Sequence, residues 1–428
     1  MKKETIKQVI REWQLSVPQD LLRRELSIPL DSGKIITLVG ARRSGKTSCL
    51  YNISEALCKS GLSRESILYI NFEDERLDLT TETLDLILQA YLELYPQIDI
   101  SSCYLLFDEI QNVDNWDKFI RRIYDTQTKN ILLTGSSARM LSSEIATSLR
   151  GRTVSYEIFP FSFREYLSYR KIAPELYAAH GKASLNSALG DYLCWGGFPE
   201  IINASPELRT RILQEYFNVM IYRDLVERYQ IKNLQALRFF LKRVLSSATK
   251  QISVNKIYND LKSAGHKIGK NQLYEYLDAC QDIHLTFLCR KITSSPVERE
   301  LGEKKIYAID NGLLNAVHYR FSDDIGKALE QAVFLELKRK EKNIYYFKGR
   351  YECDFVLKEG PDAVQAIQVA TSLAEESVKK REIRGLLECC RALRLPAGLI
   401  ITRDDDIAEI ISDDIKISVT PLSRWLLG

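Results

Sequence analysis

The chain has 428 residues, of which 45% are hydrophobic and 27% are charged. These values are typical of globular proteins and exclude a wholly disordered, collagen-like or low-complexity chain. The 60 Lys and Arg residues nearly balance the 57 Asp and Glu residues, which leaves a formal net charge of +3. A nucleic-acid surface would therefore have to be a local patch. At about 150 residues per domain, the length predicts roughly three domains.

The amino-terminal segment, residues 1–15, predicts an amphipathic helix, because charged residues flank each of its short apolar runs. This is not the pattern of a secretory signal. The nine cysteines include no CxxC pair, which argues against a zinc site with paired spacing. Their odd number, without an export signal, predicts reduced thiols and a cytoplasmic protein. No apolar stretch approaches the length of about 18 residues that a membrane span needs, so no membrane partner is expected.

Strands and helices are predicted to alternate between residues 34 and 158. The strand candidates are Lys34–Val39, Ser66–Phe72, Cys103–Phe107, Asn130–Thr134 and Thr153–Phe159, with helical patterns at about 46–60, 80–95, 116–127 and 138–149. The strand candidates are nearly all apolar, as in a sheet that is covered on both faces. The alternation therefore predicts an α/β fold with a parallel sheet.

After Pro160 the pattern changes to helices, which extend to about residue 250. Gly196-Gly197-Phe198-Pro199 is predicted to separate two of these helices. Short helices then precede an apolar strand candidate, Ile283–Cys289, and residues 303–428 again mix strands with helices. The sequence contains no low-complexity linker, so we expect the domains to pack directly on one another.

Residues 40–47 read G-x-x-x-x-G-K-T between an apolar strand and a helix, which is the context of a P-loop. Its glycines let backbone N–H groups curl around phosphates, and the helix N-terminus adds its positive end. Lys46 would reach the β and γ phosphates, and the Thr47 hydroxyl would ligate Mg²⁺. The predicted nucleotide-binding residues are Gly40, Ala41, Arg42, Arg43, Ser44, Gly45, Lys46, Thr47 and Ser48.

A second strand ends in Asp108-Glu109, two strand–helix units after the P-loop. An apolar strand that delivers Asp-Glu at its end is typical of a Walker B motif. Asp108 would hold the Mg²⁺ ion, and Glu109 would polarise the attacking water. No [NT]KxD motif for reading guanine occurs in the sequence, so ATP is the predicted nucleotide.

Three further residues are candidates for the same site. Ser136, at the end of the third strand, would sense the γ-phosphate or orient water, although such a residue is also a common helix N-cap. Arg150 or Arg152 would supply charge as an arginine finger, or would form a surface ion pair. Arg223, on a helix, would reach the nucleotide from the helical lid that the segment after Pro160 would form.

Several motifs accompany the P-loop in a fixed order. They are Phe107-Asp108-Glu109-Ile110-Gln111 with Trp116, Leu133-Thr134-Gly135-Ser136-Ser137, Leu149-Arg150-Gly151-Arg152, Phe161-Ser162-Phe163-Arg164-Glu165-Tyr166, Gly196-Gly197-Phe198-Pro199-Glu200 and Tyr222-Arg223-Asp224. Together with Gly40–Thr47, this set resembles an archaeal and bacterial family of AAA+, STAND-like P-loop ATPases.

The resemblance implies four domains. They are a P-loop ATPase core (1–160), a helical lid (161–250), a winged helix (251–300) and a domain similar to the restriction-endonuclease fold (301–428). It also makes Arg152 the preferred candidate for the arginine finger.

Residues 253–292 independently fit a helix-turn-helix with a wing. The first helix would be Asn255–Ala264 and the second Lys270–Cys280. In a DNA-binding role, Lys267, Lys270 and Asn271 would lie near phosphates or base edges. The alternative is a winged helix that is used for packing or protein contacts.

The last domain departs from the acidic pattern of restriction-like nucleases. Glu330, on a predicted helix, and Asp354, in a predicted strand, would hold Mg²⁺. The second-acid position is Gln368, and the position of the catalytic lysine is Ala370. We therefore expect a degenerate site that is kept for binding. A lysine that has moved to 379 or 380 would instead allow cleavage.

The sequence thus predicts an ATP-dependent switch that uses Mg²⁺ and contacts DNA through the winged helix. Slow hydrolysis is expected if the finger comes from a neighbouring subunit or another protein. The alternatives are an ATP-gated DNA nuclease and a switch that binds only proteins. The predicted partners are ATP or ADP, DNA, and a protein partner or further copies of the chain.

Overall fold

The computed structural model describes residues 3–16, 21–136, 149–175, 178–293, 295, 297–298, 302–317, 324–405, 407–412 and 414–428. The chain forms two compact units, Met1–Phe159 and Pro160–Gly428. The helix that is predicted over about 138–149 lies outside the described residues, except for its last position.

The first unit contains a five-stranded parallel sheet. Its strands are β1 (Ile35–Val39), β2 (Ile67–Asn71), β3 (Tyr104–Asp108), β4 (Ile131–Gly135) and β5 (Thr153–Glu157), in the order β2-β3-β4-β1-β5. Its helices are α1 (Lys3–Leu15), α2 (Lys46–Lys59), α3 (Thr81–Leu94) and α4 (Trp116–Thr126), with 3-10 turns at Arg64–Ser66, Ile100–Ser102 and Ile110–Asn112. The predicted parallel α/β sheet and the amino-terminal helix are confirmed.

Both faces of this sheet are covered, as the apolar strands predicted. Leu105 and Phe107 belong to one buried cluster, together with residues of α1, α3 and α4. Leu106, between them, belongs to a second cluster with residues of α2. Successive side chains of a strand point to opposite faces, so one short strand contributes to both layers.

The strand order decides which loops meet. β4 lies between β3 and β1, and all three strands are parallel. Their carboxyl ends therefore meet at the same edge of the sheet. The P-loop, Asp108-Glu109 and Thr134-Gly135-Ser136 follow or end these strands, which brings the three motifs together.

The second unit contains ten α-helices in its described residues. They are α5 (Phe163–Tyr169), α6 (Ala179–Trp195), α7 (Pro206–Val219), α8 (Leu234–Ser246), α9 (Val254–Ser263), α10 (Lys270–Asp282), α11 (Asn311–Val317), α12 (Ile325–Arg339), α13 (Glu376–Leu393) and α14 (Leu422–Leu427); a 3-10 turn spans Pro199–Ile201 and a π-helix spans Met220–Glu227. α9 and α10 agree closely with the predicted helix-turn-helix.

The strands of the second unit form one nine-stranded mixed sheet. Its strands are β6 (Gln251–Ile252), β7 (Thr286–Lys291), β8 (Lys304–Ala308), β9 (Asn343–Lys348), β10 (Glu352–Glu359), β11 (Asp362–Val369), β12 (Ala397–Thr402), β13 (Ile407–Ser412) and β14 (Ile415–Pro421), in the order β13-β14-β12-β11-β10-β9-β7-β8-β6. β7 pairs antiparallel with β8 and parallel with β9. One sheet therefore continues across residue 300, where a domain boundary is predicted, and the four-domain division stays a prediction.

The predicted break after α6 is confirmed, and a buried carboxylate holds it in place. The Gly197 N–H donates to Asp310 Oδ2 at 2.8 Å, and the Leu313 N–H donates to Asp310 Oδ1 at 3.1 Å. Burial raises the pKa of Asp310 to about 6. The Gly-Gly-Phe-Pro motif therefore connects α6 to the start of α11. Among the helices that the structure describes, none is both long and apolar enough to cross a membrane.

Candidate nucleotide-binding site

The loop between β1 and α2 has a backbone that only glycine accommodates easily. Gly40 has φ 153° and Gly45 has φ 100°, values in the region that disfavours side chains. A Cβ on Gly40 would also collide with the carbonyl oxygen of Ile158. Gly45 directly precedes the first residue of α2, so the loop and the helix N-terminus form one cradle.

Lys46 is folded into this cradle and is buried. Its Nζ donates to the carbonyl oxygens of Gly40 and Ala41, at 3.2 Å each. The same atom lies 3.5 Å from Glu109 Oε1. The ammonium thus connects the P-loop with the end of β3.

Asp108 is the centre of a buried hydroxyl network. Thr47 Oγ1 donates to Asp108 Oδ2 at 2.7 Å, and the Tyr69 hydroxyl donates to the same oxygen at 2.9 Å. Thr134 Oγ1 donates to Asp108 Oδ1. Burial raises the pKa of Asp108, and the hydrogen bonds from Thr134 and Thr47 offset only part of this rise. A bound cation would therefore stabilise the ionised carboxylate.

Glu109 is held in a left-handed backbone conformation, with φ 53°, which is uncommon for a residue other than glycine. Its N–H donates to Thr134 Oγ1 at 2.9 Å, and Gln111 Nε2 donates to its Oε2 at 2.5 Å. Burial acts to raise the pKa of Glu109, but the Lys46 ammonium and the Gln111 amide outweigh it, so the pKa lies below its ordinary value. The carboxylate is therefore ionised and available to accept a proton.

Two serine hydroxyls are buried beside this network. Ser44 lies in the P-loop, and Ser136 follows β4. Within the described part of the chain, neither Oγ has a hydrogen-bond partner. Buried polar atoms are nearly always paired in native proteins. The two hydroxyls are therefore candidates to donate to a bound phosphate, while the N-cap alternative for Ser136 concerns a predicted helix that lies outside the described residues.

The other P-loop residues differ in their exposure and contacts. Arg42 Nη1 pairs with Glu73 Oε1 at 3.0 Å, and Arg43 is exposed with φ 67°. Ser48 is half-buried in the first turn of α2. All nine predicted nucleotide-binding residues thus belong to the cradle or to the start of the helix that follows it.

Two residues that the sequence analysis missed support the site. Arg24 donates to the carbonyl oxygens of Ser44 and Phe159, at 3.1 Å and 2.7 Å. Although it lies outside the motif, it therefore stabilises the backbone of the P-loop. Tyr69 donates to Asp108. A tyrosine within the apolar run of β2 was a signal for a buried polar partner, whereas nothing in the sequence marked Arg24.

Arg152 lies at the opposite edge of the sheet. It directly precedes β5, whose first residue pairs with Ile35 at the start of β1. The P-loop follows the other end of β1, about 16 Å away for a five-residue strand. Arg152 instead pairs with both carboxylate oxygens of Asp125, at 3.0 Å and 3.1 Å. It does not join the P-loop of its own subunit, so the finger prediction stays open only for the site of a neighbouring subunit.

Five further predicted residues belong to other elements of the chain. Arg150 is exposed with φ 51°, and Arg223 is exposed in the π-helix of the second unit. The roles of Arg150 and Arg223 stay predictions. Lys267, Lys270 and Asn271 are exposed at the start of α10.

The predicted nuclease-like residues do come together. Glu330 lies on α12, Asp354 on β10 and Gln368 on β11. The Asp354 N–H donates to Gln368 Oε1 at 3.3 Å. The lysine that contacts both acids is Lys305 of β8, which the sequence analysis missed. β8 begins with Lys304 and Lys305 before its apolar residues, so nothing in the sequence distinguished Lys305 from its neighbour.

Comparison with known families defines the class of the first unit. The AAA domain family matches residues 32–167, which include the cradle, β3 and β4. Residues 186–324 match a domain of unknown function, DUF8612, and residues 325–425 match a second one, DUF4143. The fold of the first unit is that of an AAA-type P-loop protein, and this part of the sequence resemblance is confirmed, whereas the roles of the site residues stay predictions.

Two relatives and one solved structure are similar to this chain. Uncharacterized protein MJ1544 of Methanocaldococcus jannaschii is 36% identical, over 98% of this chain and 94% of its own length. An uncharacterized protein of Haemophilus influenzae is 27% identical, over 81% of this chain and 85% of its own. The Aeropyrum pernix ORC1 protein, solved in complex with DNA, is 12% identical, with 75% of this chain and 92% of that chain covered and a TM-score of 0.30. The chain belongs to the same protein family as MJ1544.

Proposed function

We propose that this protein binds Mg-ATP at the P-loop edge of the first unit and hydrolyses it as a nucleotide-dependent switch. The observation that carries the proposal is the buried network that connects Thr47, Asp108, Thr134 and Glu109. It joins a phosphate cradle, two oxygen ligands and an ionised carboxylate at one edge of the sheet. Phosphoryl transfer by P-loop proteins requires these parts.

The residues present fit a magnesium ion. Mg²⁺ prefers one or two protein oxygen ligands beside the phosphates, and Thr47 Oγ1 and Asp108 Oδ2 lie 2.7 Å apart. When bound, the ion would neutralise phosphate charge as bonds to the leaving oxygen lengthen. Thr134 and Tyr69 orient the Asp108 carboxylate through their own hydrogen bonds.

Phosphate binding would also prepare the general base. Lys46 Nζ lies 3.5 Å from Glu109 Oε1, so a polyphosphate in the cradle would compete with this carboxylate for the ammonium. Loss of that attraction would raise the pKa of Glu109 and strengthen it as a base toward water. Ser136 would donate to the γ-phosphate or to the attacking water.

The first experiment is a titration of ATP with Mg²⁺ against Lys46→Ala, with Lys34→Ala as a matched control. Lys34 precedes β1, whereas Lys46 follows it, and Lys34 is exposed with its Nζ on the Gly151 carbonyl oxygen at 3.1 Å. We expect Lys46→Ala to lose at least about tenfold in affinity, the equivalent of 1.4 kcal/mol, and Lys34→Ala to bind like wild type. Unchanged binding by Lys46→Ala would refute the proposed site.

We also propose that α10 contacts DNA. Lys270 and Asn271 begin this helix, and Lys267 precedes it; all three are exposed, whereas Leu273 and Leu277 of the same helix are buried. The helix thus packs through one face and presents basic and amide groups on the other, as a recognition helix does. We assign these three side chains to phosphate or base contacts.

DNA binding would be measured against salt for wild type and for Lys267→Ala/Lys270→Ala. A protein that neutralises phosphates loses affinity as salt rises, by a slope set by the number of contacts. We expect the double variant to bind more weakly with a shallower slope. Lys379→Ala/Lys380→Ala on α13 removes the same charge and is the control. No DNA binding, or a salt-independent affinity, would instead favour a switch that binds only proteins.

A further inference from the structure

A buried lysine lies among three carboxylates in the second unit. The side chain of Lys305, on β8, is 3% exposed. Its Nζ lies 3.1 Å from Glu330 Oε1, 3.0 Å from Asp354 Oδ1 and 2.8 Å from Glu352 Oε1. One ammonium therefore contacts all three acids, including the two that are predicted to hold a metal ion.

The cluster joins strands that are not neighbours in the sheet. Lys305 lies on β8 and Asp354 on β10, and in the strand order β7 and β9 lie between them. Neighbouring strands are about 4.8 Å apart, so three steps separate these strands by about 14 Å in a flat sheet. The length of the lysine side chain and the ordinary twist of a sheet bring the charged groups together.

Further hydrogen bonds occupy the carboxylate oxygens. The Tyr307 hydroxyl donates to Glu330 Oε1 at 2.7 Å, and the Val369 N–H donates to Asp354 Oδ2 at 3.0 Å. Tyr307 itself is buried and stacks on Phe334, with ring centroids 3.9 Å apart. Glu330 Oε1 and both oxygens of Asp354 are thus paired with donors of the protein.

The residues do not fit a divalent metal ion. Gln368, at the position of the second acid, uses its amide on both sides: its Oε1 accepts from the Asp354 N–H, and its Nε2 donates to Glu382 Oε2 at 2.7 Å. Ala370 replaces the catalytic lysine. Throughout the described ranges, no group of three or more His, Cys, Asp or Glu side chains has the arrangement of a metal site.

We propose that the Lys305 ammonium is the permanent cation of this cluster, in the place that a divalent metal ion would take between Glu330 and Asp354. The ammonium then offsets part of the negative charge of the three acids, joins β8 to α12 and β10, and leaves the second unit without metal-dependent nuclease activity. This inference is independent of the proposed ATPase function, which concerns the first unit.

The electrostatics agree with this assignment. Burial acts to lower the pKa of Lys305, but Asp354, Glu330 and Glu352 outweigh it and raise the pKa well above its ordinary value. Three carboxylate oxygens within 3.1 Å of one nitrogen also require a charged lysine. Removal of this charge would leave the three carboxylates without their cation and open to a divalent ion from solution.

Mn²⁺ binding without nucleotide tests the proposal in the full-length chain. The variants are Asp354→Asn, Lys305→Met and the double variant Lys305→Met/Asp354→Asn, with folding checked by circular dichroism. We expect Asp354→Asn to leave the Mn²⁺ titration of the wild-type chain unchanged. Lys305→Met should gain about one ion per chain, and the double variant should lose that ion again.

Two results would overturn the proposal. One is a wild-type Mn²⁺ site that Asp354→Asn removes, and the other is metal-dependent cleavage of DNA that Asp354→Asn abolishes. Either result would make Lys305 the lysine of a working nuclease. The comparison of wild type with Asp354→Asn decides the question even if Lys305→Met does not fold. A folded Lys305→Met that gains no ion also counts against the proposal.

Discussion

Thr134 is predicted to couple the two acids of the Walker B motif. Its Oγ1 accepts from the Glu109 N–H at 2.9 Å and donates to Asp108 Oδ1. Thr134→Val keeps the shape but leaves a buried N–H without a partner and removes one hydrogen bond to a carboxylate. An unpaired buried donor costs about 1–3 kcal/mol, and a bond to a charged group contributes about 1.5–3 kcal/mol. Since the effects share one network, we expect about 3 kcal/mol in total.

The functional effect of Thr134→Val should exceed its effect on ATP affinity. The Thr134 hydrogen bond lowers the pKa of Asp108, so its loss favours the protonated carboxyl and weakens the predicted Mg²⁺ site. Loss of the Thr134 hydroxyl also removes the hydrogen bond that holds the Glu109 N–H, so the general base is less well positioned. We expect hydrolysis to fall at least about tenfold, or 1.4 kcal/mol in barrier, with ATP binding largely kept.

Thr128→Val is the matched control for this prediction. Thr128 is equally buried, donates to the Cys103 carbonyl oxygen at 3.0 Å and accepts from the Asn130 N–H at 3.1 Å. It precedes β4, at the edge of the sheet opposite the P-loop. Urea unfolding should show a comparable loss of stability in both variants, whereas steady-state hydrolysis should fall only in Thr134→Val. Equal hydrolysis rates in the two variants would refute the reasoning.

Three further predictions concern the acids and the finger. Glu109→Gln should bind Mg-ATP normally but hydrolyse it about 10²–10⁴-fold more slowly, because the general base is lost; rapid hydrolysis by this variant would remove Glu109 from the mechanism. Arg152→Ala and Lys46→Ala should each be inactive alone but recover activity when mixed, since one subunit keeps the P-loop and the other the finger; no recovery would argue against a finger in trans. For Asp310, burial raises the pKa from 3.8 to about 6 in the folded state. The folded chain therefore retains this proton between about pH 4 and 6, and stability falls as pH rises through that window, by about 3 kcal/mol in total. Unfolding measured across this range should show a flatter profile for Asp310→Asn, and an unchanged slope would contradict the assignment.

The P-loop was predictable because its chemistry is local. Eight consecutive residues carry the phosphate cradle, and the apolar strand before them and the helix after them are visible in the pattern. The same holds for Asp108-Glu109, which end an apolar strand. In both cases the elements observed in the structure agree with the prediction to within about two residues, a usual margin for helix ends.

Contacts between distant segments could not be predicted in this way. Arg152 was a candidate for the site because it flanks Gly151 just before a predicted strand and because the family resemblance makes it a plausible finger. The strand β5 runs parallel to β1, so a residue before β5 lies at the edge opposite the P-loop. The place of a residue within a sequence motif therefore does not determine at which edge of the sheet that residue lies.

The sequence by itself determined the class of the protein, because phosphate binding depends on a short loop and on the two short elements that flank it. Only the tertiary structure decided what Lys305 contacts. That lysine is 25 residues from Glu330 and 49 from Asp354 along the chain, and the strand order of the sheet brings the three together. Strand order arises from the pairing of whole strands, which no local pattern records.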